Sequence, residues 1–159
     1  YVRRHFFELA NKEVAKCLRH ERMLSIAVID IDELGKINEP HGQDAGDNVL
    51  IQLGTRLKAS IRQSDFVARI EGDAFAVCLP DTNAQEAQEY FEIFLNGLIA
   101  EPFSLSRSDL SKAVEVGCSV GIACYNQPEK DAAATWRRAD GALFGAKKNG
   151  GNCIKIAVD

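Results

Sequence analysis

Residues 68–75 read "ARIEGDAF", two apolar stretches around a short turn that carries Glu71, Gly72 and Asp73. A second acidic run, "VIDID", closes an earlier apolar stretch at Asp30 and Asp32. Carboxylates gathered from two strand ends suit Mg²⁺, a hard cation that takes one or two carboxylates together with substrate phosphate oxygens. Metal and acidic groups together support in-line attack at a phosphate. The same residue types also build hairpin turns and cap helices. Chemistry at Asp30, Asp32 and Asp73 therefore requires a fold that brings them to one edge.

The elements that would do so can be read from periodicity. Phe6, Phe7, Ala10, Val14, Cys17 and Leu18 recur at helical spacing and predict an amphipathic helix over about residues 4–21. "MLSIAVIDI" is nearly continuous in apolar residues, the pattern of a strand buried on both faces. Val49, Leu50, Leu53, Leu57 and Ile61 give a second helix over about residues 43–61. "FVARIEGDAFAVCLP" is a hairpin signal, two β-rich runs about a Gly- and Asp-containing turn. Thr82 with Gln85 has the capping-box pattern at the start of a helix whose apolar face is Ala87, Phe91, Phe94, Leu95 and Leu98. "EPFSLSRSDLSK" reads as loop or an extra hairpin strand, and Val114 to Cys124 alternate as a strand. Ala132, Trp136, Ala139, Leu143 and Ala146 form a last helical face, ended by Lys147, Lys148 and a C-cap glycine in "NGG". "CIKIA" supplies a final strand.

Without the first helix, the order is strand, helix, strand, strand, helix, strand, then one more helix and strand. The first six are the split βαβ plan of ferredoxin-like folds. The expected fold class is α/β (α+β), a palm-type, mostly antiparallel sheet of about five strands flanked by helices. In that plan the third strand runs antiparallel between the first two, so Asp30 and Asp73 should meet at one edge.

Composition bounds the function without selecting it. The 159 residues are 46% apolar and 26% charged, as in an ordinary globular chain, and suffice for one domain. A net charge of −4 argues against a broad DNA- or RNA-binding face and leaves small nucleotides in play. The five cysteines are odd in number and form no C-x-x-C pair, which fits reduced, buried thiols. No apolar run reaches the ~18 residues of a membrane span, and the N-terminus lacks a signal-peptide core. The segment is expected to be cytoplasmic and free of membrane contact, with any anchor lying outside it.

Four stretches, "VIDIDELGKINEPHGQDAGDNVL", "RQSDFVARIEGDAF", "VGCSVGIACY" and "RRADGALFGAKKNGGN", resemble in order and spacing the GGDEF family of diguanylate cyclases. In that family two GTP-loaded domains face each other and each 3′-hydroxyl attacks the partner's α-phosphate, giving cyclic di-GMP and pyrophosphate. The resemblance implies Mg²⁺ held by Asp30, the Ile31 carbonyl and Asp73. It implies that Asn38 and Asp47 read guanine, as an amide and a carboxylate can, and that Lys147 binds phosphate. Residues 1–159 are then a single GGDEF-like domain, an excised piece of a larger multidomain signalling protein. An EAL domain is among the neighbours implied, and a homodimer among the assemblies.

This chain departs from the family where the chemistry is done. In place of G-G-D/E-E-F stand Glu71, Gly72, Asp73, Ala74 and Phe75. Glu71 adds bulk and negative charge where a polyphosphate must lie. Ala74 replaces an acid implicated in metal binding and hydroxyl activation, which weakens the Mg²⁺ site; losing such a group typically lowers rate by about 10²–10⁴-fold. Gly35 and Gly151 stand where the family has a phosphate-binding Lys and Arg, although Lys36 is close enough to compensate in part. Losing two charge-assisted hydrogen bonds would weaken nucleotide binding on the order of 10²–10⁴-fold.

Arg62 and Asp65 of "RQSD" match the family's R-x-x-D inhibitory motif for cyclic di-GMP. An arginine fork suits guanine or phosphate, and a carboxylate suits the guanine amide edge; alone, the same spacing is an ordinary i,i+3 ion pair. The arginine that often completes this site from the following helix is Ile93. The expected function is a catalytically degenerate, regulatory GGDEF domain that binds cyclic di-GMP through R-x-x-D, with GTP as a further ligand. The alternatives are an active diguanylate cyclase and a purely structural dimerisation domain.

Overall fold

In the computed structural model the described residues are 2–104, 113–114, 116–126 and 129–158, without the side chains of His41, Glu71 and Ala113. In chain order their elements are α1 (Arg3–His20), β1 (Leu24–Ile31), α2 (Leu34–His41), α3 (Gln43–Ser60), β2 (Phe66–Glu71), β3 (Ala74–Pro80), α4 (Ala84–Ala100), β4 (Phe103–Ser104), β5 (Ala113–Val114), β6 (Cys118–Cys124), α5 (Ala132–Lys148) and β7 (Ile154–Ile156). The main sheet has the order β2-β3-β1-β6-β7. β1 pairs antiparallel with both β3 and β6, β2 pairs antiparallel with β3, and β6 and β7 pair parallel. This is the expected mostly antiparallel, five-stranded sheet.

β1 lacks alternation because both of its faces are covered. Ala27, Ile29 and Ile31 join a core with residues of α3 and α4, while Leu24, Ile26 and Val28 join another with α1 and α5. β6 is shorter than the expected 114–124 strand. It begins at Cys118, while Val114 pairs with Phe103 in a separate two-stranded ribbon. Residues 105–112 of the loop or hairpin expected before it lie outside the described residues. The small residues alternating along β6 are buried. A Cβ on Gly121 would fall 2.1 Å from the Ala139 carbonyl and 2.3 Å from the Leu143 nitrogen, so the missing side chain is what lets the backbone of α5 approach the sheet.

Three other differences are local. α2 was not foreseen: it is eight residues long, contains Pro40, and starts at Glu33 in the left-handed region with no side-chain cap. The capping box of α4 is Asn83 with Glu86 rather than Thr82 with Gln85; Thr82 instead turns its hydroxyl to the Pro80 carbonyl at 3.0 Å. The C-cap of α5 is Asn149 at φ −82°, and the positive φ angles fall on Gly150 and Gly151. All five cysteines are free. Burial, followed by the charges of Asp32 and Asp30, pushes the Cys118 thiol up to about 12, so it stays protonated.

An ion pair ties Glu129, before α5, to α5 itself. Arg138 donates from Nε to Glu129 Oε2 at 3.0 Å and from Nη2 to Oε1 at 2.6 Å, and Thr135 and the Asn126 N–H also donate to Oε1. Burial alone would raise the Glu129 pKa, but these donors outweigh it and hold it below the ordinary value. A depressed folded pKa contributes stability that is present above the unfolded value of about 4.3 and is lost as pH falls through the folded one. Glu129→Gln is expected to lower stability by about 2 kcal/mol at neutral pH. It should also flatten the decline below about pH 4.3, as read from thermal melts across pH.

Candidate functional site

Strand register brings the two acidic stretches to one edge. Asp30 lies opposite Ala74 on one side and Ser119 on the other, and Ala74 in turn lies opposite Glu71. The signature thus meets the end of β1 in a row of Glu71, Ala74, Asp30 and Ser119. A bulge between Arg69 and Glu71 leaves Gly72 and Asp73 as the turn. Gly72 has φ +46°, a conformation that glycine adopts without Cβ strain, and its carbonyl accepts the Arg69 Nε–H at 2.6 Å. Asp73 is exposed, one residue from the position opposite Asp30.

Lys147, in the last turn of α5, donates to Asp30 Oδ2 at 2.7 Å and lies 3.5 Å from the Ile31 carbonyl. The other oxygen, Asp30 Oδ1, is buried without a partner among the described residues. A buried carboxylate oxygen with nothing to accept is costly, and Oδ1 and the Ile31 carbonyl are hard oxygen donors of the kind Mg²⁺ takes. The residues fit such an ion only as a partial set: no three His, Cys, Asp or Glu side chains among the described residues are grouped to hold a metal.

Asp32 serves as a clamp. Its Oδ1 accepts from Ser119 Oγ at 2.7 Å, its Oδ2 from the Asn152 N–H at 2.6 Å, and its own N–H donates to the Gly117 carbonyl at 2.8 Å. This fixes the turn after Lys147 onto the end of β1. Gly151, at φ +77°, is part of the fit, since a Cβ there would fall 2.9 Å from Asp32 Cγ and Oδ2. An arginine at 151 would have to displace the clamp. Gly35 has open space around it, and Lys36 is paired with Glu33 at 3.0 Å. Lys36 and Glu33 line a pocket of about 350 Å³ together with Asp32, Ile37 and Asn152.

Asn38 on α2 is half-buried, and Asp47 near the start of α3 is exposed. Between them lies Gly46, buried inside α3, where glycine is about 0.5–1 kcal/mol worse than alanine for the helix.

Arg62 and Asp65 pair with each other. Nε and Nη2 of Arg62 donate to the two carboxylate oxygens at 3.0 and 2.9 Å, and the Arg62 backbone N–H donates to Oδ2 at 2.9 Å. Nη2 is also 2.9 Å from the Pro80 carbonyl and 2.8 Å from Thr82 Oγ1. The Asp65 side chain is 1% exposed and that of Arg62 55%. The hydrogen bond to Asp65 raises the Arg62 pKa against opposing desolvation, with the charges of Asp65, Asp81 and Glu86 adding to it. Ile93 is an exposed residue of α4.

Sequence reading missed the Asp32 clamp and the docking of Arg62 on Thr82 and Pro80. Nothing in the spacing of Ser119, Asn152 or Thr82 marks them; only the register and the α5–β7 turn bring them to their partners.

The split βαβ core with a signature turn beside the end of β1 defines the class, and a family model for "Diguanylate cyclase, GGDEF domain" matches residues 1–153. The chain belongs to the GGDEF domain family. It is 35% identical over 150 residues to diguanylate cyclase DgcP of Pseudomonas aeruginosa, covering 94% of this chain and 22% of that protein. Over 159 residues it is 34% identical to the probable diguanylate cyclase DgcC of Escherichia coli (strain K12), covering 99% of this chain and 41% of that one. It thus spans less than half the length of these relatives. Among solved structures, the GGDEF domain of YfiN (TpbB) from Pseudomonas aeruginosa matches with a TM-score of 0.90 at 29% identity, over 100% of this chain and 97% of the other. Among the described residues, no helix is long and apolar enough to cross a membrane.

Proposed function

We propose that this is a regulatory GGDEF domain of cyclic di-GMP signalling with little or no diguanylate cyclase turnover. The observation that carries the reading is the register of Ala74 with Asp30. The position that would set a second carboxylate beside Asp30 holds a methyl group instead. Asp30, through its unpartnered Oδ1, and the Ile31 carbonyl would hold Mg²⁺, with Asp73 close by in the turn. When bound, the ion supplies charge neutralisation for phosphate oxygens. Lys147 orients Asp30 and meets phosphate, and Asn38 and Asp47 meet the guanine edge of GTP.

Cyclic di-GMP is the proposed regulatory ligand, met at the R-x-x-D motif. Asp65 is buried and committed to Arg62, so its part there is to aim the guanidinium. The half-exposed Arg62, whose Nη1 has no partner among the described residues, presents the donor edge to guanine or phosphate. The signal would pass to neighbouring domains of the longer protein, an EAL domain or a second copy of this domain among them.

The test pairs two measurements on the folded domain. Calorimetric titration should show cyclic di-GMP binding at micromolar concentration or tighter, and incubation with GTP and Mg²⁺ or Mn²⁺ should yield no cyclic di-GMP. Product would establish an active cyclase instead. Absence of both binding and product would leave the structural dimerisation reading.

A further inference from the structure

The seat of Asn38 is shaped by a missing side chain. A Cβ built on Gly46 would fall 2.1 Å from Asn38 Oδ1, 2.9 Å from Cγ and 3.0 Å from Nδ2, and these carboxamide atoms are its three nearest neighbours. The whole amide group occupies the space, so the fit holds whichever way the amide is turned. Asn38 Oδ1 is buried there with no hydrogen-bond partner among the described residues. The Asn38 backbone is held separately, its carbonyl accepting the Gly42 N–H at 2.7 Å. The atoms that a methyl group at 46 would meet thus all belong to the end of one side chain, none of them backbone.

We propose that Gly46 is a positioning residue that sets base specificity: the gap it leaves in α3, one residue before Asp47, seats the Asn38 carboxamide, and filling that gap displaces the group that reads guanine. This rests on the reading of Asn38 and Asp47 as a guanine site. It also accounts for a glycine inside a helix at a position where alanine favours the fold.

The experiment is calorimetric titration of GTP and of ATP, each with Mg²⁺, into the wild-type domain, Gly46→Ala, Asn38→Ala and the double variant. Gly46→Ala is expected to bind GTP on the order of tenfold more weakly, with ATP affinity unchanged. Its melting temperature should equal or exceed that of wild type. The double variant should bind GTP no worse than Asn38→Ala alone, because Gly46 acts only through that side chain. Removing the amide also removes the clash, so the double variant reports even if the single one folds poorly. A Gly46→Ala protein with wild-type preference for GTP would overturn the inference alone, as would losses that add in the double variant. A wild-type domain that binds GTP no tighter than ATP would overturn the guanine-site reading and the inference with it.

Discussion

Glu71→Gly combined with Ala74→Glu is expected to raise production of cyclic di-GMP from GTP by at least about 10²-fold. Residues opposite each other in an antiparallel pair have Cβ atoms about 4.5–5.5 Å apart, so a glutamate at 74 reaches the space beside Asp30. It would complete a two-carboxylate set around the unpartnered Asp30 Oδ1 and the Ile31 carbonyl and supply an acid/base group for the hydroxyl. Ala74→Glu alone should gain less, because Glu71 would keep a negative charge where the polyphosphate approaches. The check is chromatographic detection of product with Mg²⁺ for wild type, both single variants and the pair. A double variant that is folded, binds GTP and still makes no product would place the loss of activity elsewhere, at Gly35 and Gly151.

The second large effect concerns the R-x-x-D pair and is one of stability. Arg62→Ala is expected to lower unfolding free energy by about 2–3 kcal/mol, since it strips two donors from a carboxylate that is 1% exposed. Solvent reaching the half-exposed arginine keeps the loss below that of a fully buried pair. The melting temperature should fall by on the order of 5–10 °C. Arg62→Lys, which keeps the charge and forfeits the fork, should fall between. A variant melting within a degree or two of wild type would show that the pair contributes nothing to the fold. If the drop is found, loss of cyclic di-GMP binding in Arg62→Ala counts against the ligand contact only at a temperature where the variant is native.

Much of this could be read before the fold was seen, because the strongest signals come from burial. β1 is a continuous apolar run buried on both faces, α4 has one apolar face at helical spacing, and the hairpin turn carries its own glycine. What was missed depends on contacts distant in sequence. Nothing local distinguishes Thr82 from Asn83 as a cap; the competition is settled by Arg62, which reaches Thr82 from 20 residues away. α2 has too few residues and too poor a start to announce itself, and it is held against α3. The alternation along β6 marks a strand but not what covers it, and Gly121 marks the approach of a helix backbone. At the site, Asp30 and the hairpin were legible from the split βαβ plan. The clamp at Asp32 was not, since its partners Ser119 and Asn152 lie 87 and 120 residues away.

That separation also bears on how the domain comes together. A contact closing 120 residues of chain belongs to the slow class of long-range events, and a domain emerging during synthesis cannot make it until Asn152 is available. β1 is made early and waits for partners on both edges, β3 first and β6 much later. Lys147, 117 residues from Asp30, likewise cannot reach it until α5 has been made. The Lys147–Asp30 and Asp32–Asn152 contacts at the end of β1 are therefore expected to form late, and an unfinished chain would carry the β2–β3 hairpin without them.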